Sequence, residues 1–416
     1  MKNICNIIEC TGCMACANVC AHHAIYIKKD EEGFDRPVID KSLCVDCGLC
    51  VKTCPINHHP DAHEPVKIYS GWSSEEDVRT SSSSGGAFTE IARPVLEEGG
   101  VVFGCALNDK LQAEHIYVET LEDLKYKLSG SKYVQSRIGN SYTLAKGFLR
   151  QGRKVLFSGT PCQIAGLKNY LRRDYDNLIT VDLICHGVPS PMLFEDYKTF
   201  MQKHENMKLT KVSFRCKKSS WIFFNMTLKG HVEKSSALKT YVGSYYEDPY
   251  IRGFLRDYFL RPSCHQCKFT TTTKRCSDFT IADWWGYSKN SSKDKDFRKK
   301  GVSLVLANSE KAIAMLPSMN MELRERTLEE AKRTNCSLSK AFAMPAVREE
   351  FWKDYHRMPF EDMVKTYMRP EKVNWQTKLM EHYPNTDNLI LFIRILELPQ
   401  RIINKIMKVF GIKYKL

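Results

Sequence analysis

Three observations predict a chain built from a small cysteine-rich α+β segment, a larger α/β domain with a partly parallel sheet, and a helical C-terminal extension. Nine of the 17 cysteines lie within the first 54 residues, eight of them in a repeated spacing. Two strand–turn–helix units follow one another between residues 154 and 191, the pattern of neighbouring parallel strands. From about residue 341, aromatic and basic residues mix without clusters of ligand-type side chains. The 416 residues divide accordingly into 1–64, 65–340 and 341–416.

Composition narrows the function classes. With 43% hydrophobic and 26% charged residues the chain can bury real cores, so it is not a disordered tail. The best candidate for a membrane span, Leu389 to Ile393, meets Arg394 after five residues, far short of the ~18 that a spanning helix needs. The first residues run straight into a cysteine motif without the apolar stretch of a secretory signal, so a cytoplasmic location is expected. In a reducing compartment an odd, clustered set of cysteines speaks for metal or redox chemistry rather than disulfides. The net charge of +14 suits acidic partners, but no base-stacking or groove-entry motif accompanies it, which argues against nucleic acid.

Cys10, Cys13, Cys16 and Cys20 stand at C-x2-C-x2-C-x3-C, and Cys44, Cys47, Cys50 and Cys54 repeat that spacing, closed by Pro55. Three thiolates two residues apart wrap one cubane on a tight turn, and the fourth, on a short helix, reaches the other cluster. Ligation is therefore crossed: one [4Fe-4S] cluster on Cys10, Cys13, Cys16 and Cys54, the second on Cys44, Cys47, Cys50 and Cys20. Zinc sites usually take paired rather than tripled cysteines. Between the runs, Ala24–Lys28 and Arg36–Ile39 flank a turn containing Gly33, the pattern of a hairpin. Residues 1 to about 60 resemble the bacterial two-cluster ferredoxin, and the polar stretch His58–Pro65 reads as the linker to a larger domain.

In the large domain, Ser81–Gly86 feeds a helix beginning at Ala87, and its free N–H groups with Gly85 and Gly86 suit a phosphate; a serine-rich cap without a ligand reads the same. Val101–Ala106 and His115–Glu119 are expected strands, followed by a polar loop carrying Lys132 and Tyr133. Lys154–Phe157, a Ser-Gly-Thr-Pro turn and a helix to Leu171 form one unit. Leu178–Ile184, the Cys185–Pro189 turn and a helix capped by Ser190 form the next. Right-handed crossovers bring both turns to the carboxyl edge of one sheet, and with them Cys162 and Cys185. Cys264 and Cys267 supply a further C-x2-C pair, so these four thiolates are expected to close a third tetrathiolate site. Cys276 and Cys216 are substitutes for Cys162 or Cys185, and zinc would suit the same sulfurs, although a chain with two iron–sulfur clusters favours iron. Cys5, Cys105 and Cys336 read as core or surface thiols.

Ser84–Thr89, Lys132–Ser136, Gly159–Leu167, Ile184–Pro191, Cys264-x2-Cys267 and Ser277–Gly286, in this order, resemble the coenzyme F420 hydrogenase/dehydrogenase beta-subunit family. The resemblance implies FAD beside a [4Fe-4S] cluster, with electrons passing between iron–sulfur centres and a deazaflavin or another soluble hydride carrier. It further implies that Ser84, Gly85 and Gly86 cradle the FAD pyrophosphate, that Thr160 and Gln163 lie near the flavin, and that Lys132, beside Tyr133, offers positive charge to the reduced ring. Cys216 departs from the pattern, which has an acidic residue there. The expected activity is that of an iron–sulfur flavin oxidoreductase; the alternative is an electron relay without its own substrate, serving a partner enzyme.

Near the C-terminus, residues 399–411 predict an amphipathic helix with Ile402, Ile403, Ile406 and Phe410 on one face and Arg401, Lys405 and Lys408 on the other. Such a helix suits an anionic membrane surface or an acidic partner, or packs its apolar face on the protein itself.

Overall fold

The computed structural model describes residues 3–217, 220–233, 235–286 and 297–374, with 377, 378, 381, 402 and 405. Most of the expected C-terminal amphipathic helix lies outside the described residues.

In the N-terminal segment each cysteine triplet runs into a helix of five residues, Ala15–Val19 and Leu49–Thr53. The chain turns into both helices through a left-handed residue, Met14 at φ 58° and Gly48 at φ 70°. Between them β1 (Ile25–Lys29) and β2 (Asp35–Ile39) form the expected hairpin, Ile25 opposite Ile39 and Lys29 opposite Asp35. Gly33, at φ 81°, makes the turn. Any side chain at Gly33 would strike Met192, so the hairpin tip lies on the helix Pro191–Glu205. There Ser190 Oγ donates to the carbonyl of Glu32, and the Arg348 guanidinium pairs with the Glu32 carboxylate while donating to Leu260 O at 2.7 Å.

The large domain is an eight-stranded mixed sheet. Its strands are β3 (Lys67–Ser73), β4 (Val101–Leu107), β5 (Ala113–Val118), β6 (Val155–Ser158) and β7 (Leu178–Leu183). A three-stranded antiparallel meander follows: β8 (Met207–Cys216), β9 (Asn225–Val232) and β10 (Leu238–Ser244). The chain then returns to the main sheet with β11 (Phe279–Asp283), β12 (Ser303–Ala307) and β13 (Met321–Glu325). Across the main sheet the order is β13-β3-β12-β11-β7-β6-β4-β5. The run β4-β6-β7-β11 is parallel, so the turns after β6 and β7 share the carboxyl edge, as the two strand–turn–helix units require. The helix Ala87–Glu97 buries Ile91 and Val95 on one face of the sheet, against Val102, Leu156, Ile179 and Val181. The helices Ser141–Arg150 and Pro161–Leu171 cover the other face, against Val101, Phe103, Val155 and Phe157.

The meander packs on the helix Pro191–Glu205 in a second core that also takes Phe351, Trp352, Met363 and Tyr367 from the helices Arg348–Tyr355 and Phe360–Tyr367. The two helices between Arg348 and Tyr367 are thus built into the core that the meander forms with the helix Pro191–Glu205. No helix among the described residues is long and apolar enough to cross a membrane.

Candidate functional site

Cys10, Cys13, Cys16 and Cys54 line one enclosed space together with Ile4, Met14, Pro55 and Ile56. This is the grouping that crossed ligation requires. Cys20 ends its helix as Cys54 ends the other, each backbone N–H turned back on the helix, to Ala17 and Val51 respectively. Cys44, Cys47 and Cys50 lie nearer the surface, with Cys47 exposed. Among the described residues no three His, Cys, Asp or Glu side chains surround a point that a single metal ion could occupy. A cubane needs a wider cage, because each thiolate binds its own iron. Cys5, read from the sequence as a structural thiol, lines the same space. Its hydrogen bonds with Cys10 and Cys54 raise its own pKa and lower theirs.

The second cysteine group forms where the sheet's carboxyl edge meets this segment. Cys162 sits in the first turn of the helix Pro161–Leu171, Cys185 just past β7, and Cys264 and Cys267 at the short 3-10 turn Pro262–Gln266. Burial pushes the Cys185 thiol well up, and Cys264, Cys162 and Cys267 push it further, so the four sulfurs share one neighbourhood. Cys267 is raised to about 11 by burial and then by Cys162 and Cys264. Cys162 and Cys264 are buried and Cys185 and Cys267 partly so, and four thiols gathered in this way fit a cationic iron–sulfur core, which favours the thiolate form of its ligands. Cys13 is raised to about 12, first by burial and in part by Cys162, which sets the two groups side by side. The helix carrying Cys162 also presents Gly166, where a Cβ atom would stand 3.0 Å from Cys13 Sγ and 3.2 Å from the Tyr142 hydroxyl. Of the two substitutes considered from the sequence, Cys276 packs beside Cys162, Ala165 and Phe269. Cys216 ends β8, opposite Asn225 in the meander.

Polar side chains hold this group in place. Thr160 and Gln163, expected near a flavin, form a reciprocal capping box on their helix. Thr160 Oγ1 lies 3.2 Å from Cys162 Sγ. Gln163 is buried; its amide donates to Ser136 Oγ at 3.1 Å, and Ser136 meets His115 Nδ1 at 3.1 Å. His115 Nε2 lies 3.1 Å from the carbonyl of Ser158, so that nitrogen carries the proton. Burial holds the imidazole neutral, with its pKa down at about 4. Arg261, 3% exposed, directs NH2 at Cys162 Sγ (3.8 Å) and Cys264 Sγ (3.7 Å), with Nε donating to Ser263 Oγ at 3.0 Å. No local motif marks Arg261, and the sequence reading passed over it.

The expected flavin residues occupy the same edge of the sheet. Gly86 opens the helix Ala87–Glu97 at φ 99° with no side-chain cap, and Glu90 stands in its first turn. Gly85 has another reason to be glycine. Its N–H donates to Ser303 Oγ at 2.9 Å, and a Cβ would stand 2.5 Å from Gly71 O and 2.6 Å from Ser303 N. Ser84 is likewise engaged, its hydroxyl donating to Val302 O at 2.8 Å. The Lys132 ammonium donates to the carbonyls of Leu128 (2.7 Å) and Ser129 (2.9 Å), closing the π-helical turn Leu124–Leu128. Burial pushes its pKa down to about 8, opposed by Cys105. Tyr133 stacks on Phe254 at 4.7 Å, with Phe214 edge-on to its ring at 6.0 Å. Arg215 is buried in an ion pair with Asp283, its guanidinium 4.8 Å from the Phe224 ring and 4.9 Å from that of Trp285. Trp221 donates to the same Asp283 at 2.8 Å and stacks on Trp285. The sequence gives a signal for Asp283 and Trp285 in the stretch Ser277–Gly286; the arginine lies in Phe214–Lys217, a segment singled out for Cys216 and not for Arg215, and it arrives from another sheet.

A segment with two four-cysteine runs, set beside a mixed α/β sheet, defines an iron–sulfur electron-transfer oxidoreductase. The chain belongs to the coenzyme F420 hydrogenase/dehydrogenase beta-subunit family: the model of that subunit's N-terminal part matches residues 68–141 and that of its C terminus matches residues 152–335. A 4Fe-4S dicluster domain model matches residues 9–58. The NADH-quinone oxidoreductase subunit I 2 of Streptomyces coelicolor is 35% identical over 64 residues, covering 12% of this chain; the chain spans 32% of that relative's length. Among solved structures, a chain of the F420-reducing [NiFe] hydrogenase complex from Methanosarcina barkeri is similar at 18% identity with a TM-score of 0.44, over 67% of this chain and 89% of that one.

Proposed function

We propose that the chain is an iron–sulfur flavoenzyme that carries single electrons through its N-terminal clusters and a third cluster to FAD, and exchanges a hydride with a deazaflavin or another soluble acceptor. One observation carries this reading: Cys162, Cys185, Cys264 and Cys267 converge beside Cys13, at the sheet edge where α/β proteins bind their ligands. Bound clusters supply one-electron carriers, and a flavin converts them to two-electron chemistry. The chain's own part is to hold them. Cys10, Cys13, Cys16 and Cys54 bind the first cluster, Cys20, Cys44, Cys47 and Cys50 the second, and the Cys162 group the third. For the flavin, the open N-terminus at Gly86 is the place for a phosphate, with Ser84 and Gly85 fixing the loop. Lys132, held close by two carbonyls, and Tyr133 supply charge and an aromatic wall near it. Thr160 and Gln163 act on the sulfur side, fixing the turn that carries Cys162.

Anaerobic purification is expected to yield about twelve irons per chain, from three four-iron clusters, and one FAD. About eight irons would remove the third cluster, and no flavin would remove the flavoenzyme. The electron-relay alternative is separated by adding F420, nicotinamide and quinone acceptors to the reduced chain. An enzyme reoxidises with one of them unaided, whereas a relay stays reduced until a redox partner protein is supplied.

A further inference from the structure

The Arg261 guanidinium lies between the two buried cysteine groups. On one side NH2 is within hydrogen-bonding reach of Cys162 Sγ and Cys264 Sγ, at 3.8 and 3.7 Å. On the other side NH1 stands 3.3 Å from the position of a Cβ on Gly12, inside the Cys10–Cys13 ligand loop. The backbone is fixed as well, with Arg261 N–H donating to Val188 O at 2.9 Å and its carbonyl accepting from Cys264 N at 2.8 Å. The side chain is 3% exposed, so neither solvent nor salt screens its charge effectively. Among the described residues no carboxylate ion pair involves Arg261, and its side-chain hydrogen bonds run to sulfur and to the Ser263 hydroxyl.

We propose that Arg261 sets the reduction potential of the cluster on Cys162, Cys185, Cys264 and Cys267, and so makes that cluster the electron sink of the chain. The inference rests on the reading that these four cysteines bind a cluster. An incoming electron adds one negative charge to a cluster and its thiolates, with no bond made or broken. A fixed cation donating hydrogen bonds to two of those sulfurs stabilises the reduced form more than the oxidised one. The effect is largest at Cys162 and Cys264, which the guanidinium touches, and smaller at the Cys10 loop, which it only borders. The electron donor's direction of flow is thereby biased inward, from the ferredoxin segment towards the sheet edge. A lysine retains the charge but lacks the second terminal nitrogen, which in Arg261 lies toward Gly12.

The test uses the full chain, purified anaerobically, as wild type and as Arg261→Met, Arg261→Gln and Arg261→Lys. Iron is counted first, and each cluster is then titrated with dithionite and followed by electron paramagnetic resonance. Wild type with about eight irons would overturn the underlying third-cluster reading itself. With about twelve irons, Arg261→Met is expected to shift the third cluster's reduction equilibrium at least tenfold towards the oxidised form, about 59 mV for one electron. The two N-terminal clusters should move less. Should the methionine variant lose iron, the same comparison is made between Gln and Lys, and the lysine variant must retain the higher potential. Unchanged potentials with intact iron overturn the proposal. So does loss of the third cluster in all three variants, which would make Arg261 a structural clamp.

Discussion

Replacing Cys264 and Cys267 together by serine is expected to remove about four irons per chain and leave the signals of the two N-terminal clusters intact. The pair sits on the turn Pro262–Gln266, outside the main sheet, and its thiols face Cys185 and Cys162. Serine is nearly isosteric, so the turn, held by Arg261 O accepting from Cys264 N at 2.8 Å, should persist. Loss of an outer-shell partner typically costs 10–100-fold in metal affinity or activity, and loss of two direct ligands should exceed ~100-fold in flavin reduction by the reduced N-terminal clusters. Iron analysis and stopped-flow absorbance check both parts. An unchanged iron count would show that the pair is not a ligand.

The second large effect is expected at Gly166. Its Cβ position is 3.0 Å from Cys13 Sγ and 3.1 Å from Cys13 Cβ, so alanine already crowds the contact and leucine cannot be accommodated without displacement. Overpacking of this kind costs about 1–3 kcal/mol, and here it acts on a cluster-ligand loop. Iron loss from the N-terminal segment in air should accelerate in the order glycine, alanine, leucine, and the thermal midpoint should fall in the same order. A leucine variant with wild-type iron retention would mean that the helix and the ligand loop are not in contact.

How far the sequence could be read depended on how local each determinant is. The cysteine runs encode their own turns, so the gathering of Cys10, Cys13, Cys16 and Cys54 around one space and the β1–β2 hairpin were legible residue by residue. β12 carries its signal in the apolar run Leu304–Ala307, all of it buried, as a strand covered on both faces requires. β3 escaped the sequence reading because Lys67–Ser73 interleaves Ser70, Gly71 and Ser73 with its apolar residues, although all three are buried between β12 and β13. The meander was also missed; its register shifts between Leu209 and Lys211 and again before Cys216, which breaks the alternation by which strands are recognised. In the site, the cysteines proposed as ligands could be listed from their spacing and from their places just after strands. The roles of Lys132 and Gly85 could not, because their partners, the carbonyls of Leu128 and Ser129 and the strands at Gly71 and Ser303, are assembled only by the fold.

At the tip of the N-terminal hairpin, Glu32 accepts Ser190 through its backbone and Arg348 through its side chain, while Gly33 admits Met192. Three stretches of chain far apart in sequence are therefore bolted to one point, while further along the hairpin Arg36 donates to Cys10 O at 2.7 Å. A carrier module joined only by its linker would have to swing into reach before each transfer, and its rate would fall as the medium thickened. Here the spacing between the two buried sulfur groups is set once, when the chain folds. Electron passage from the first group to the second should accordingly be indifferent to glycerol or sucrose, as in a soldered circuit rather than a switch.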